Sequence, residues 1–228
     1  MKSLRIVLLL AVAGAITVAC GLAARQRPAS DTPSSESVRS GFPKDVYPET
    51  GNRLPLADPS ALDEVEKRIS SQGSGYGPQK LRLHSPGLEP LAGGLNDYLR
   101  RQGGLEPRLV ELSVLVAARE LDSEYVWTQH EPAALKAGLA SDVIDIVKYR
   151  KPIKAIGEQE ASIIEIGREA IGRHNVSSET FAKALRLFGD RELLTIVSVM
   201  GNYSSVCIML ETFDQHLPPN DKPLLPMP

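Results

Sequence analysis

From Pro107 onward the chain carries helical periodicity and no strand-length alternation to compete with it. Over residues 107–121, Leu109, Leu112, Val116 and Leu121 alternate with Val110, Val114 and Leu115, so the segment is apolar nearly all round. Such a helix has no solvent face to offer and belongs at the centre of a fold. Glu111 is out of place on that surface, which makes its carboxylate the first residue that needs an explanation.

The rest of the chain supports the same class. Helices are predicted over residues 124–137, with Asp122 or Ser123 as cap and Gly138 as terminator, then over 141–147 and 158–174. Two more follow: 178–188, capped by Ser177 or Ser178 with Glu179 near the positive N-terminal end, and 190–215. The last is rich in Ile, Val, Leu and Met and contains Gly201, where a close approach is possible at about 1 kcal/mol relative to Ala. Upstream, a short helix is expected from Asp58 as cap and Pro59 as first residue through Ile69, broken over 70–77. Another is expected over 86–101, bent at Gly93-Gly94, with Leu88, Leu91, Leu95 and Leu99 on one face. The expected fold is an all-α, compact multi-helix domain of antiparallel helix pairs.

Residues 1–24 are read as an export signal. Lys2 and Arg5 precede an apolar run over 6–18 and the small residues Ala19, Cys20, Gly21, Ala23 and Ala24. Thr17-Val18-Ala19-Cys20 is similar to a lipobox with Cys20 as the lipidated residue. Ordinary cleavage near Ala24, or retention as an anchor, are the other two outcomes. Each places the remainder outside the cytoplasm, periplasmic or membrane-anchored, touching a membrane only through this segment. Residues 25–57 are Pro-rich and read as a flexible linker, 58–219 as the helical domain and 220–228 as a tail.

Composition excludes several function classes. Of 228 residues 42% are hydrophobic and 24% charged, and 26 basic against 28 acidic residues leave a net charge of −2. With no basic excess, nucleic acid is not an expected partner. Cys20 and Cys207 alone cannot form a disulfide framework or a zinc cluster, and His84, His174 and His216 lack partners at metal-ligand spacing, so no metal site is expected. Gly93-Gly94 and Gly103-Gly104 lack the context of a phosphate loop.

The chemistry-bearing stretch is 107–130. On a helix Ser123, Val126 or Trp127, and His130 share a face, and a tight turn between antiparallel helices can bring Glu111 towards His130. A carboxylate against an imidazole in an apolar helix pair is a plausible acid/base unit, with Glu111 orienting the ring and His130 moving a proton. The same pair can equally be structural, each residue satisfying the other's hydrogen bonds.

The stretch resembles the carboxymuconolactone decarboxylase and alkyl hydroperoxidase D-like superfamily, whose helix pair carries Glu, then Cys-x-x-Cys, then His. Glu111 and His130 match its Glu and His in type and spacing, while Ser123 and Val126 stand at the two cysteine positions. The run from Glu124 through Tyr125 and Trp127 to His130, then Ala137-Gly138-Leu139, is similar to the decarboxylase-like branch without cysteines. Further similarity in order comes from Tyr76-Gly77-Pro78, Phe188-Gly189-Asp190 and Gly201-Asn202-Tyr203, covering about residues 58–219.

The resemblance implies an oligomeric domain, trimer or hexamer, that decarboxylates 4-carboxymuconolactone or a related small lactone or organic acid without a cofactor. Peroxide reduction is disfavoured because the dithiol is missing. In this reading His130 and Glu111 are catalytic, and Trp127, Tyr125, Ser123, Glu124 and Tyr203 contact substrate. Arg119, Arg108 and His84 are candidate carboxylate anchors. Isomerisation by the same residues, or a non-catalytic oligomeric binding module of the cell envelope, are the alternatives.

Overall fold

Helix order follows from where the chain can cap and where it must turn. The computed structural model describes residues 42–227, so the export segment, Cys20 and residues 25–41 of the linker lie outside the described residues. Within them run α1 (Glu64–Ser71), α2 (Pro78–Arg82), α3 (Leu88–Arg101), α4 (Pro107–Glu120), α5 (Glu124–Lys136), α6 (Ser141–Lys148), α7 (Glu158–Gly167) and α8 (Ser178–Thr212). A 3-10 turn occupies Pro59–Ala61 and a π-type turn Arg168–Gly172. Among the described residues the one extended pairing is an isolated bridge between Tyr47 and Asn52, so the domain is all-α.

The apolar segment α4 is the axis. Every residue from Leu109 to Arg119 is buried, and α5, α7 and α8 pack directly on it. Ser113 resolves its own polarity by donating to the Leu109 carbonyl at 2.8 Å. The closest approach is at Gly167 of α7, where a Cβ would stand 2.0 Å from Val116 Cγ1. α8 is long and apolar enough by composition to cross a membrane, yet half of its most apolar window is buried inside the domain, as in a core helix. Gly189, at φ 67, breaks its helical geometry into the two arms the sequence predicts on either side of it.

Several local expectations are corrected. The helix predicted from Pro59 through Ile69 is two elements, because Asp63 and Glu66 form a reciprocal capping box that starts α1 afresh after the Asp58-capped turn. α2 lies between the break at 70–77 and the helix expected from 86, in a stretch given no element, and is started by Pro78 after Gly77 at φ 100. Ser123 sits at the start of α5 without donating or accepting a cap bond, and Asp122 takes the left-handed turn at φ 49. The helix expected over 158–174 widens into the π-type turn after Gly167 and ends before His174, itself at φ 57. α3 starts at Leu88 and runs unbroken through Gly93-Gly94, since Gly93 makes room for the Glu89 carboxylate, 3.1 Å from where its Cβ would be.

The segments flanking the helices are also ordered against them. In the part of the 25–57 linker that is described, Thr50 and Asn52 are buried, Asn52 Nδ2 donates to Gln215 Oε1 at 3.0 Å, and the Arg53 N–H donates to the Phe213 carbonyl. The 220–228 tail is tied to α5: the Leu224 N–H donates to Thr128 Oγ1 at 3.1 Å, Gln129 Nε2 donates to Asp221, and Leu225 is 3% exposed in the main core. Buried polar side chains that satisfy loop backbone, and one apolar anchor, do what helical periodicity cannot signal.

The α4–α7 contact gives a direct test. Gly167→Ala puts a methyl group into the buried Val116 side chain and is expected to destabilise the fold by about 1–3 kcal/mol in urea unfolding.

Candidate active site

Glu111 is placed by α4, His130 by α5, and the turn at residues 121–123 folds one helix back on the other. Nine residues separate Glu111 from the end of α4, and seven separate Ser123 from His130. At 1.5 Å rise per residue these are about 14 and 11 Å, so the two side chains come level across the pair. The hydrogen bond is made: His130 Nδ1 lies 2.8 Å from Glu111 Oε2, with Glu111 only 5% exposed. A carboxylate only accepts, so Nδ1 carries the proton and Nε2 is left as the working nitrogen of the ring.

A third residue, absent from the sequence-level candidates, completes the unit. Arg100 in the last turn of α3 donates from Nη2 to Glu111 Oε1 at 2.5 Å and from Nη1 to the Tyr203 hydroxyl at 2.7 Å. Its 3.5 Å approach to His130 Nδ1 is donor against donor and adds no hydrogen bond. Burial works against the Arg100 charge, but Tyr203 and Glu111 outweigh it and raise the pKa of the guanidinium. The Tyr203 hydroxyl is likewise pushed up by burial, with Arg100 pulling the other way. The Tyr203 ring stands edge-on to His130, centroids 4.9 Å apart, so the imidazole is held on its face as well as at Nδ1.

His130 and Tyr203 open on a cleft of about 190 Å³, large enough for a small organic molecule. Val126, Val206 and Leu210 supply apolar wall, while Arg82, Asn96 and Gln129 supply polar groups. Tyr125 stands between this cleft and a second cavity of about 220 Å³ that Asp122, Ser123, Glu124 and Glu211 line. Burial, with Asp221 and Tyr76 nearby, raises the Tyr125 phenol to about 12.

Of the residues proposed to contact substrate, Tyr125 and Tyr203 line the cleft with His130. Trp127 does not. It is fully buried in the main core, with Nε1–H donating to Glu131, which also pairs with Lys148 at 2.8 Å. Its indole therefore has a partner inside the protein and no surface left for ligand. Ser123 and Glu124 face the second cavity, because the start of α5 points away from the His130 end. Ser123 lies beside Cys207, whose thiol burial pushes up to about 11, so this sulfur is held as the unreactive neutral form.

The three suggested anchors are all elsewhere. Arg119 donates to the Pro226 carbonyl at 2.8 Å, Arg108 pairs with Glu106 and Glu160, and His84 Nε2 meets the Pro55 carbonyl at 2.9 Å. Arg100 was legible in principle. It lies about as far before the turn at residues 103–106 as Glu111 lies after it, the condition for two residues to face each other across a helical hairpin.

No family model matches the sequence, and no curated protein matches it. The arrangement of helices is matched by solved structures. A protein of Ralstonia eutropha JMP134, described as an alkylhydroperoxidase AhpD core and an uncharacterized peroxidase-related protein, superposes with a TM-score of 0.60. The match is at 17% identity and covers 74% of this chain and 93% of that one. The fold resembles the AhpD core. A protein of unknown function from Agrobacterium tumefaciens, provisionally named as an antioxidant defence protein AhpD, gives a TM-score of 0.52 at 18% identity, over 57% of this chain and 89% of that one. At such identities the likeness to AhpD concerns the fold, and chemistry has to be argued from this chain's own side chains.

The Tyr125 environment sets an alkaline limit. Its unfolded value is near 10 and its folded value about 12, so the stability it contributes is complete below pH 10 and is lost as pH rises through about 12. Tyr76 and Tyr203 shift in the same direction. Tyr125→Phe is expected to flatten the fall in unfolding free energy over that window, read by denaturant titration at a series of pH values.

Proposed function

We propose that this protein is a cofactor-free enzyme of the decarboxylase-like branch, acting by proton transfer or decarboxylation on a small unsaturated lactone or organic acid. The observation that carries this reading is the fixed tautomer of His130. Glu111 holds Nδ1–H, Arg100 and the central helix hold Glu111, and Nε2, which has no protein partner among the described residues, stands beside a small half-apolar cleft.

In a decarboxylation the C–C bond to the departing carboxylate breaks and its electron pair passes into the conjugated carbonyl system of the substrate, releasing CO2. For this step the ring must first take a proton from solvent at Nε2, becoming an imidazolium that Glu111 holds at Nδ1; Nε2 then delivers that proton to the resulting carbon and the ring is left neutral. In an isomerisation the same nitrogen removes a proton and redelivers it at another carbon. The apolar walls favour loss of the hydrated carboxylate by limiting its contact with water. Dithiol peroxidase chemistry is disfavoured, because Ser123 and Val126 stand at the two cysteine positions and carry no thiol, and Cys207 is buried with a raised pKa.

The setting we propose is extracytoplasmic, periplasmic or lipid-anchored through Cys20, on the strength of residues 1–24. Homo-oligomerisation is supported by the outward leucines of α3, Leu88, Leu91 and Leu95, with Tyr98 beside them and Leu194 and Val197 of α8 also exposed.

The test is a screen of unsaturated lactones and acids for CO2 release and for deuterium incorporation from solvent. His130→Ala is expected to reduce turnover by about 10²–10⁴-fold and Glu111→Gln to lower it as well, CO2 marking a decarboxylase and exchange alone an isomerase. Binding of these acids without turnover in the wild type, undisturbed by either substitution, would replace the enzymatic reading with that of an oligomeric binding module.

A further inference from the structure

Resting on the proton-transfer reading, we propose that Arg82 anchors a carboxylate that the substrate keeps throughout the reaction, so that the cleft selects small monocarboxylates over their neutral analogues. Two arginines come near the site, and they are not equivalent. Arg100 has both terminal nitrogens committed, one to Glu111 and one to Tyr203, and it does not line the cleft. Arg82, from α2, does line it.

The Arg82 side chain is 10% exposed, and Nη1 donates to Glu89 Oε2 at 3.0 Å. Among the described residues Nε and Nη2 have no protein partner, and neither is a sealed-off buried donor. The small exposed part of this guanidinium therefore belongs to the cleft. A guanidinium has donors for two carboxylates at once, so Glu89 can hold one side of the fork while a ligand takes the other.

The neighbouring groups fit the same ligand. Asn96 has its carbonyl oxygen occupied by Asn202 Nδ2 at 3.2 Å, which leaves its own NH2 as a neutral donor in a residue that, like Arg82, lines the cleft. His130 and the apolar Val126 and Val206 line the same cleft. A molecule with a carboxylate on Arg82 and Asn96 thus presents its unsaturated, uncharged part to the imidazole. Glu89 is the positioning residue: it is 5% exposed, lies on the first turn of α3, and aims the guanidinium from the face of α3 that also carries Asn96 and Arg100.

The experiment compares furan-2-carboxylate with furan-2-carboxamide, two ligands of one shape that differ in charge, by calorimetry and by the imidazole NMR signals of His130. Wild type is expected to prefer the carboxylate by about 10- to 100-fold, the range for a hydrogen bond to a charged group. Arg82→Gln alone would strand Glu89, so the variant used is Arg82→Gln with Glu89→Gln, which removes both charges together. It is expected to lose the preference while still binding the carboxamide. His130→Ala is expected to retain the preference. Equal affinities in wild type, no binding of either compound at millimolar concentration, or a preference that survives the double exchange would overturn the anchor. Arg82-dependent binding with no proton exchange or CO2 release from any acid of the screen would overturn the enzymatic reading while leaving the anchor in place.

Discussion

The arrangement turns on one carboxylate buried on an otherwise apolar helix. Glu111 sits in the second turn of α4, the element on which α5, α7 and α8 pack, and at 5% exposure it is almost cut off from water there. Its two oxygens are taken by two different helices, Oε1 by Arg100 of α3 and Oε2 by His130 of α5. Removing one partner from such a buried pair typically costs about 3–5 kcal/mol, because the remaining charge is left without water. The bonds that satisfy Glu111 are therefore the same bonds that place α3 and α5 and that set the His130 tautomer. Stability and site geometry are not separable at this point of the fold.

α3 reflects the same constraint. Its leucines occupy one helical face, and periodicity alone would turn that face to the core. Instead Leu91 is 76% exposed, and Glu89, Asn96 and Arg100 point inward. The helix is rotated because Glu89 and Arg100 have partners inside, Arg82 and Glu111, whereas Leu88, Leu91 and Leu95 are exposed among the described residues and only Leu99 reaches the core. An inward polar face gives the cleft its donors, and an outward apolar face gives the domain a surface suited to association. Both follow from one rotation.

Tyr125 and Trp127, two residues apart on α5, illustrate how fine the division is. A two-residue step on a helix is about 200°, so one aromatic ring cannot share the other's surroundings. Tyr125 reaches the space between two cavities, while Trp127 enters the core and finds Glu131 and Lys148 waiting for its N–H and its ring face. Reading both as ligand contacts treats sequence neighbours as spatial neighbours, which helical geometry forbids.

What the sequence determined by itself was local or depended on chain distance. Helical periodicity without strand alternation made the domain all-α, Gly189 divided α8, and the separation of Glu111 and His130 around a short turn brought carboxylate and imidazole level. What only the tertiary structure decided was rotational and long-range. It put Arg100 on Glu111, kept the suggested anchors Arg108 and Arg119 away from the cleft, turned Leu88, Leu91 and Leu95 of α3 outward, put Trp127 in the core, and packed the segments before α1 and after α8 onto the helices. The reason is physical. Periodicity establishes which residues share a face, but the direction that face takes is set by whether its charges find buried partners on other helices, and those partners are far away in the chain.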